Sequence, residues 1–398
     1  MSTPPPAAAL TAAVRAAAPR ALAILVRRLG SFDDAEDAVQ EALVDAARQW
    51  PIDGIPEQPV AWLVTVASRR AIDAMRSASA RREREWRAAS LEVEVASSDE
   101  DDTLVLFVLC CHPLLSHTSQ VALTLRCVGG LSTREVARGL VASESTVGTR
   151  ISRAKATLRG IRLDSISEIG ARMPAVLDVL GLIHTESHTA VEGDAIGRPA
   201  LAAESLRLAR MLLTQTTDEW RGEVMGLIAL ILLTDARQPA RVSADGVLVP
   251  LAEQDRSLWR SSMIEEGSSL VTEALSRHPL GPFQLRAAIA AVHDEAATSE
   301  ETDWAQILGL YDVLCALDPG PVSMLGRCVA IGEVDGADAG LDALTRVTAA
   351  PDRQSFAVRA HLLARASRHD AARKAYADAA RLTRNASERR WLLQAAAR

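Results

Sequence analysis

Apolar residues recur along this chain at three- and four-residue steps, the period of helices with one buried face. The first clear case runs from Asp34 to Trp50. Ala35, Ala38, Val39, Ala42, Leu43, Ala46 and Trp50 share one face, and Asp34, Asp37, Glu41 and Asp45 share the other. Pro51, Gly54 and Pro56 then force a turn, and Pro59 suits the first turn of the next helix, where its missing N–H costs no bond. That helix is predicted to bury Trp62, Leu63, Val66, Ile72 and Met75. It projects Arg69, Arg70 and Arg76, followed by Arg81, Arg82 and Arg84. An acidic helix followed by a basic one implies two different partners.

Between Leu125 and Arg159 the pattern predicts two short helices around a tight turn. Ser132 can cap the first, with Glu135 completing a capping box, and Val136, Ala137 and Leu140 supply its apolar face. Ser143 can cap the second, where Val147, Ile151, Ala154 and Leu158 point inward and Ser145, Thr146, Thr149, Arg150 and Arg153 point outward. This is a helix-turn-helix arrangement whose second helix can enter the DNA major groove. From Met173 onward the chain reads as helix after helix, with one break at residues 235–259. There Asp245-Gly246 signals a tight turn beside Val247, Leu248 and Val249, which can form a small hairpin strand. Ala360, Leu363, Ala372, Tyr376 and Ala379 match the spacing of a tetratricopeptide helix pair, and Ile307 and Leu341 stand one 34-residue repeat apart. An ordinary helical domain is the other reading of that region.

Composition points to the same class. Hydrophobic residues make up 48% of the chain but aromatics only 3%, and Ala and Leu dominate over Val and Ile. Such material favours packed helices, so the predicted fold is all-α, and 398 residues suffice for two or three domains. No uninterrupted apolar run reaches the roughly 18 residues of a membrane span, and the N-terminus lacks a signal-peptide pattern. Cys110, Cys111, Cys127, Cys315 and Cys328 are odd in number and lack metal-type pairing, so they read as buried thiols in a reducing cytoplasm, with no metal or cofactor. Glu192, Asp194, His184 and His188 show no zincin, phosphate-loop or nucleophile-elbow spacing, and no catalysis is expected.

Charge divides the chain. The whole carries a net −7, yet residues 112–159 hold seven basic groups against two acidic ones. A basic block on an acidic chain implies a dedicated nucleic-acid contact. Leu91 to Asp102 holds six acids and no base, the composition of a solvated linker between two helical modules.

These residues carry a resemblance to bacterial RNA polymerase sigma factors of the sigma-70 family, in the extracytoplasmic-function (ECF) class. AEDAVQEA at 35–42 resembles region 2.2, which docks on the clamp helices of the polymerase's largest subunit. PVAWLVTVASRRAIDAMR at 59–76 resembles regions 2.3 and 2.4, which open and read the −10 element. HPLLSHTSQVALTLRCVGGLSTREVA at 112–137 and ESTVGTRISRAK at 144–155 resemble region 4, which reads the −35 element. PAVLDVLGLIHTE at 174–186, LTDARQPARVSADG at 233–246, EQDRSLW at 253–259 and TDWAQILGLYDVL at 302–314 are similar to the extension of a subgroup with C-terminal tetratricopeptide-like repeats. Three positions depart from the pattern. Gly148 stands where a polar residue is common, HTESHT at 184–189 replaces an Asn-Glu-Gly-Tyr type of sequence, and Arg70 stands where many relatives place Asn.

The resemblance implies region 2 at 1–86, an acidic flexible linker at 87–103, region 4 at 104–162 and the helical extension at 163–398. It implies a cytoplasmic protein that binds core RNA polymerase at its clamp helices and flap and directs promoter-specific initiation. The extension, or a regulatory protein bound to it, is implied to modulate that activity; no membrane is involved. Asp34, Asp37, Glu41 and Asp45 are the implied polymerase contacts. Arg69, Arg70, Asp73 and Arg76 are implied at the −10 element, and Ser145, Thr146, Thr149, Arg150, Arg153 and Lys155 at the −35 element. Arg150 and Arg153 either read base edges or position the backbone, and Asp73 either orients an arginine or forms a solvated ion pair. Asp235, Arg237, Asp255 and Arg256 are expected to join extension to sigma core, with salt bridges inside the extension as the alternative. The rival function is a helix-turn-helix regulator that does not engage polymerase as a sigma subunit; it would need no acidic clamp-binding face.

Overall fold

The computed structural model of the protein describes residues 6–79, 99–140, 142–159, 166–188, 192–193, 199–347 and 352–398. The fold is all-α: eighteen helices and two strands of two residues each lie among the described residues. They divide into two compact units, Met1–Leu180 and Gly181–Arg398.

In the first unit, α1 (Ala7–Leu29), α2 (Phe32–Asp53) and α3 (Pro59–Ser79) pack against one another. Ser31 caps α2 by accepting the Asp34 N–H, and Gly30, at φ 64°, makes the sharp connection from α1. Ala35, Ala38, Val39, Ala42, Ala46 and Trp50 are buried, the stripe the periodicity predicts. Trp50 meets Trp62 edge-to-face at 5.5 Å, which places Trp62 in the α2–α3 core. Ala9–Leu29 within α1 is long and apolar enough, by length and composition, to cross a membrane. Arg15 and Arg20 interrupt its apolar sequence. Its Ala17, Ala21, Leu22 and Leu25 are buried here.

Next come α4 (Asp99–Cys110), α5 (His117–Cys127), α6 (Thr133–Gly139) and α7 (Glu144–Leu158). Helix α4 begins inside the acidic run at Asp99. From Leu106 to Cys111 every residue is buried, because α1 covers one side of the helix and α5 another. A helix that is apolar all round is stable only when covered all round. Helix α8 (Ile166–His188) carries the chain into the second unit.

That unit comprises β1 (Glu192–Gly193), α9 (Pro199–Gln215), α10 (Asp218–Ala236), α11 (Ser261–Arg277), α12 (Pro282–Glu295), α13 (Trp304–Leu317), α14 (Pro321–Val334), α15 (Ala337–Thr345), α16 (Arg353–Arg365), α17 (His369–Leu382), β2 (Arg384–Asn385) and α18 (Ala386–Ala397). Helices adjacent in sequence pack as neighbours. Helices α10 and α12 cross at backbone contact: a Cβ on Gly226 would lie 2.5 Å from the Gln284 nitrogen. Glu223 in α10 accepts the Phe283 and Gln284 N–H groups at 3.2 and 3.1 Å, capping α12. Val242 bridges Leu248 in an antiparallel turn with Gly246 at φ 73°, the small hairpin the Asp-Gly pair predicts. The sequence shows nothing of the closure around it. Strand β1 pairs in parallel with β2, Ser387 donates to the Gly246 carbonyl, and Arg390 donates to the Gly246 and Asp245 carbonyls at 2.8 and 3.2 Å.

Candidate nucleic-acid and polymerase interfaces

Helix α7 is set by two caps. Glu135 accepts the Ser132 N–H at 2.8 Å while Ser132 accepts the Glu135 N–H at 3.2 Å, starting α6. Ser143 accepts the Thr146 N–H at 3.1 Å, starting α7. Val147, Ile151, Ala154 and Leu158 are buried, which turns Ser145, Thr146, Thr149 and Arg153 to solvent and leaves Arg150 half-buried. Together with Ser116, Thr118 and Ser119 at the start of α5, these five line a groove of about 470 Å³. Every lining residue carries a hydroxyl or a guanidinium, and none is acidic. Such a surface donates hydrogen bonds to phosphate oxygens and to base-edge acceptors. The α5 wall was absent from the sequence reading; the run Ser-His-Thr-Ser at 116–119 signalled it only as a hydroxyl-rich helix start.

Lys155 lies elsewhere. At 3.6 residues per turn it sits about 140° around the helix from Arg150 and about 160° from Arg153. Its ammonium donates to Glu36 of α2, a residue only 6% exposed. Arg159 follows one turn later and donates through Nε to Asp33 at 2.8 Å. That bond, before the Asp33 charge itself, raises the Arg159 pKa. Neither Asp33 nor Glu36 belonged to the expected acidic face, because their role appears only when α7 lies across α2. Gly148 faces α6, where a Cβ would stand 3.9 Å from Thr133, so it is not part of the groove.

On α2, Asp34, Asp37 and Glu41 are exposed and Asp45 is half-buried. Arg70 of α3 reaches back across this face. Its Nη2 and Nε donate to Asp45 at 2.5 and 3.2 Å, with Glu41 at 3.9 Å. The Asp45 hydrogen bond, then its charge, raises the Arg70 pKa. Arg69 and Asp73 are exposed on α3. Arg76 lies within α3 but its side chain is outside the described residues, as are Arg81, Arg82 and Arg84.

Residues 13–81 match the Sigma-70 region 2 family and residues 108–158 the Sigma-70 region 4 family. Over 149 residues the chain is 31% identical to the ECF RNA polymerase sigma factor SigK of Mycobacterium ulcerans (strain Agy99), covering 36% of this chain and 78% of that protein. The chain belongs to the ECF class of sigma-70 factors. SigK of Mycobacterium tuberculosis (strain ATCC 25618 / H37Rv) is likewise 31% identical over 146 residues, 35% of this chain and 78% of that one. An uncharacterized protein of Rhizobium meliloti (strain 1021) is 37% identical over 402 residues, spanning 94% of this sigma factor and 92% of that protein. Residues 172–275 match a family of unknown function, DUF6596. No solved structure matches the chain.

The part of this sigma factor that matches DUF6596 holds Asp235, Arg237, Asp255 and Arg256. Arg237 donates to Asp294 at 2.6 Å and to the Ala290 carbonyl at 2.7 Å. Arg256 donates to the His293 and Ala296 carbonyls, both at 2.6 Å. Asp255 accepts the Ser257 N–H at 2.9 Å. The two guanidinium carbons stand 5.5 and 4.6 Å from the Trp259 ring centre. These bonds of Arg237, Asp255 and Arg256 are internal to the extension and pin the 235–259 segment to the C-terminal end of α12. Burial, then Arg237 and Arg256, pushes His293 down to about 4, and burial pushes Asp235 up to about 6. His184, in the departing HTESHT patch, is buried against Thr234 at 3.0 Å, and burial lowers it to about 4.

Proposed function

We propose that this ECF sigma factor binds core RNA polymerase through the α2 face of Asp34, Asp37, Glu41 and Asp45 and directs promoter-specific initiation through two DNA contacts. The groove lined only by hydroxyls and guanidiniums carries the proposal. Arg150 and Arg153 take guanine O6/N7 or phosphates of the −35 element, and Ser145, Thr146 and Thr149 take adjacent base edges or backbone. Ser116, Thr118 and Ser119 hold the strand on the opposite wall. On α3, Arg69 and Arg76 form a cationic path for the melted −10 strand, with Asp73 orienting them. Arg70 joins that path on release from Asp45. The acidic α2 face repels DNA and suits a basic polymerase patch, where charge matching aids encounter and orientation. The chain acts in the cytoplasm, where polymerase and chromosome are, and performs no catalysis itself.

The extension, residues 163–398 with its stacked tetratricopeptide-like helix pairs, modulates this activity by gripping the sigma modules or a regulatory protein. Co-migration of the full chain with purified core polymerase tests the first half of the proposal. Binding that weakens in the Asp34→Asn/Asp37→Asn/Glu41→Gln variant is expected. A chain that never co-migrates with core is a helix-turn-helix regulator of another kind.

A further inference from the structure

We infer that the last three helices, α16–α18, carry a third nucleic-acid contact: an arginine-rich face that grips the phosphate backbone of duplex DNA without reading its sequence. The inference rests on the sigma reading, which brings promoter DNA to this chain, and adds a grip outside regions 2 and 4.

Charge is divided sharply within the extension. Residues 181–351 hold 25 acidic groups against 12 basic ones, whereas residues 352–398 hold eleven basic groups against four acidic ones. Those four carboxylates are all engaged. Asp352 accepts the Ser355 N–H at 2.8 Å as the cap of α16, Asp370 pairs with Arg373, Asp378 with Arg381, and Glu388 with Arg353. Arg365 and Arg368 reach Glu333 and Asp338 at 2.9 and 2.6 Å. Arg359, Lys374, Arg389 and Arg398 are exposed and make no hydrogen bond or ion pair among the described residues. Arg390 donates to the Asp245 and Gly246 carbonyls, which leave its charge uncancelled. A positive surplus is thus left at the surface of an otherwise acidic extension.

Packing holds these cations on one firm body. Tyr376 of α17 meets Trp391 of α18 edge-to-face at 5.7 Å, and Ala379, Ala380 and Leu392 pack with them and with Phe356 of α16. With Leu392 turned inward, α18 shows Arg389, Arg390, Leu393, Gln394, Ala397 and Arg398 to solvent. Three guanidiniums and no carboxylate suit a row of phosphates, which the planar fork meets with two parallel hydrogen bonds. A protein partner fits this face less well. Protein interfaces centre on apolar and aromatic groups, and α18 offers Leu393 and one alanine. The acidic remainder of the extension repels DNA and so turns α18 toward the duplex.

Fluorescence anisotropy of the full chain on a labelled duplex of arbitrary sequence, between about 50 and 200 mM salt, tests the contact. Lys374→Gln/Arg389→Gln/Arg398→Gln removes three cations that hold nothing in the fold. It should weaken binding about tenfold or more and make the slope of log affinity against log salt shallower by about 2–3. Arg389→Lys/Arg398→Lys keeps the charge and should keep the slope. Arg210→Gln/Arg277→Gln/Arg346→Gln subtracts the same charge from the acidic part and should leave the slope unchanged. Circular dichroism melts check that each variant is folded. No duplex binding by the wild-type chain, equal slopes for it and the Lys374→Gln/Arg389→Gln/Arg398→Gln variant, or the same loss in the acidic-part variant overturns the inference. So does light scattering that shows two copies associating through these cations while the duplex slope stays put, which assigns the face to the acidic part of a second copy. The slopes are read without polymerase, whereas the sigma reading fails when the wild-type chain does not co-migrate with core, so each can fail alone.

Discussion

Replacing Arg237 by Met isolates the buried ion pair at the centre of the extension. The Arg237 and Asp294 side chains are 10% and 0% exposed, so removing the guanidinium strands a carboxylate that water cannot reach. Breaking such a pair from one side costs about 3–5 kcal/mol. The lost Trp259 stacking and Ala290 bond act in the same direction. For a unit of this size each kcal/mol moves the midpoint by about 2–4 °C, which places the Arg237→Met transition about 6–20 °C below wild type. Burial already raises the Asp294 pKa, with Arg237 the main influence holding it down. Without Arg237 the carboxyl takes up a proton more readily, so the penalty should be smaller at pH 5 than at pH 8. Calorimetry of the full chain reads the transition, and tryptophan fluorescence assigns it, since Trp259 lies beside the pair. Arg237→Met/Asp294→Leu, which removes both charges, should recover most of the loss. A midpoint shift under about 2 °C, or a double variant less stable than the single one, refutes the reasoning.

Three further outcomes follow from the same geometry. Arg150→Ala and Arg153→Ala should each weaken −35 duplex binding by about 1–3 kcal/mol and flatten its salt dependence, whereas Lys155→Ala should leave duplex affinity unchanged in a fluorescence titration at fixed ionic strength. His184 and His293 have folded pKa values near 4, below the ordinary 6.5. The unfolded chain therefore binds more protons between those values, and the stability they contribute rises with pH across that window. Asp235, raised from 3.8 to about 6, acts oppositely by losing stability as pH rises through that range. Asp235→Asn should thus steepen the rise in melting temperature from pH 4 to 6.5; a flatter profile contradicts the assignment. Truncation after Leu382 removes β2 and α18, with the Ser387 and Arg390 bonds to the hairpin tip. Hydrogen exchange at the Ser243 and Gly246 amides should accelerate, and unchanged protection would show that the tip does not depend on α18.

Local patterns were legible in the sequence because they need only near neighbours. The α2 stripe, the Ser132–Glu135 capping box, the Ser143 cap and the Asp245-Gly246 turn all depend on residues a few positions apart. Charged side chains with distant partners were not legible. Arg70 and Lys155 read as DNA contacts from their place beside a recognition surface, and nothing near them in the chain points to the carboxylates they also meet, 25 and 119 residues away. Glu36 read as one more acid, since periodicity cannot say that a second helix will cover it. The same limit applies in the extension. Arg237 and Arg256 stood out as motif residues, but their acceptors at the end of α12 follow from the α10–α12 crossing, which Gly226 permits.

Run-off transcription from genomic fragments with core polymerase tests the central claim most directly. The full chain should yield discrete transcripts that core alone does not, and Arg150→Ala/Arg153→Ala should abolish most of them while retaining binding to core. Comparison with a chain ending at Leu163 shows whether the extension restrains or supports initiation. Absence of any chain-dependent transcript from either form, with core proven active by another sigma factor, contradicts the account.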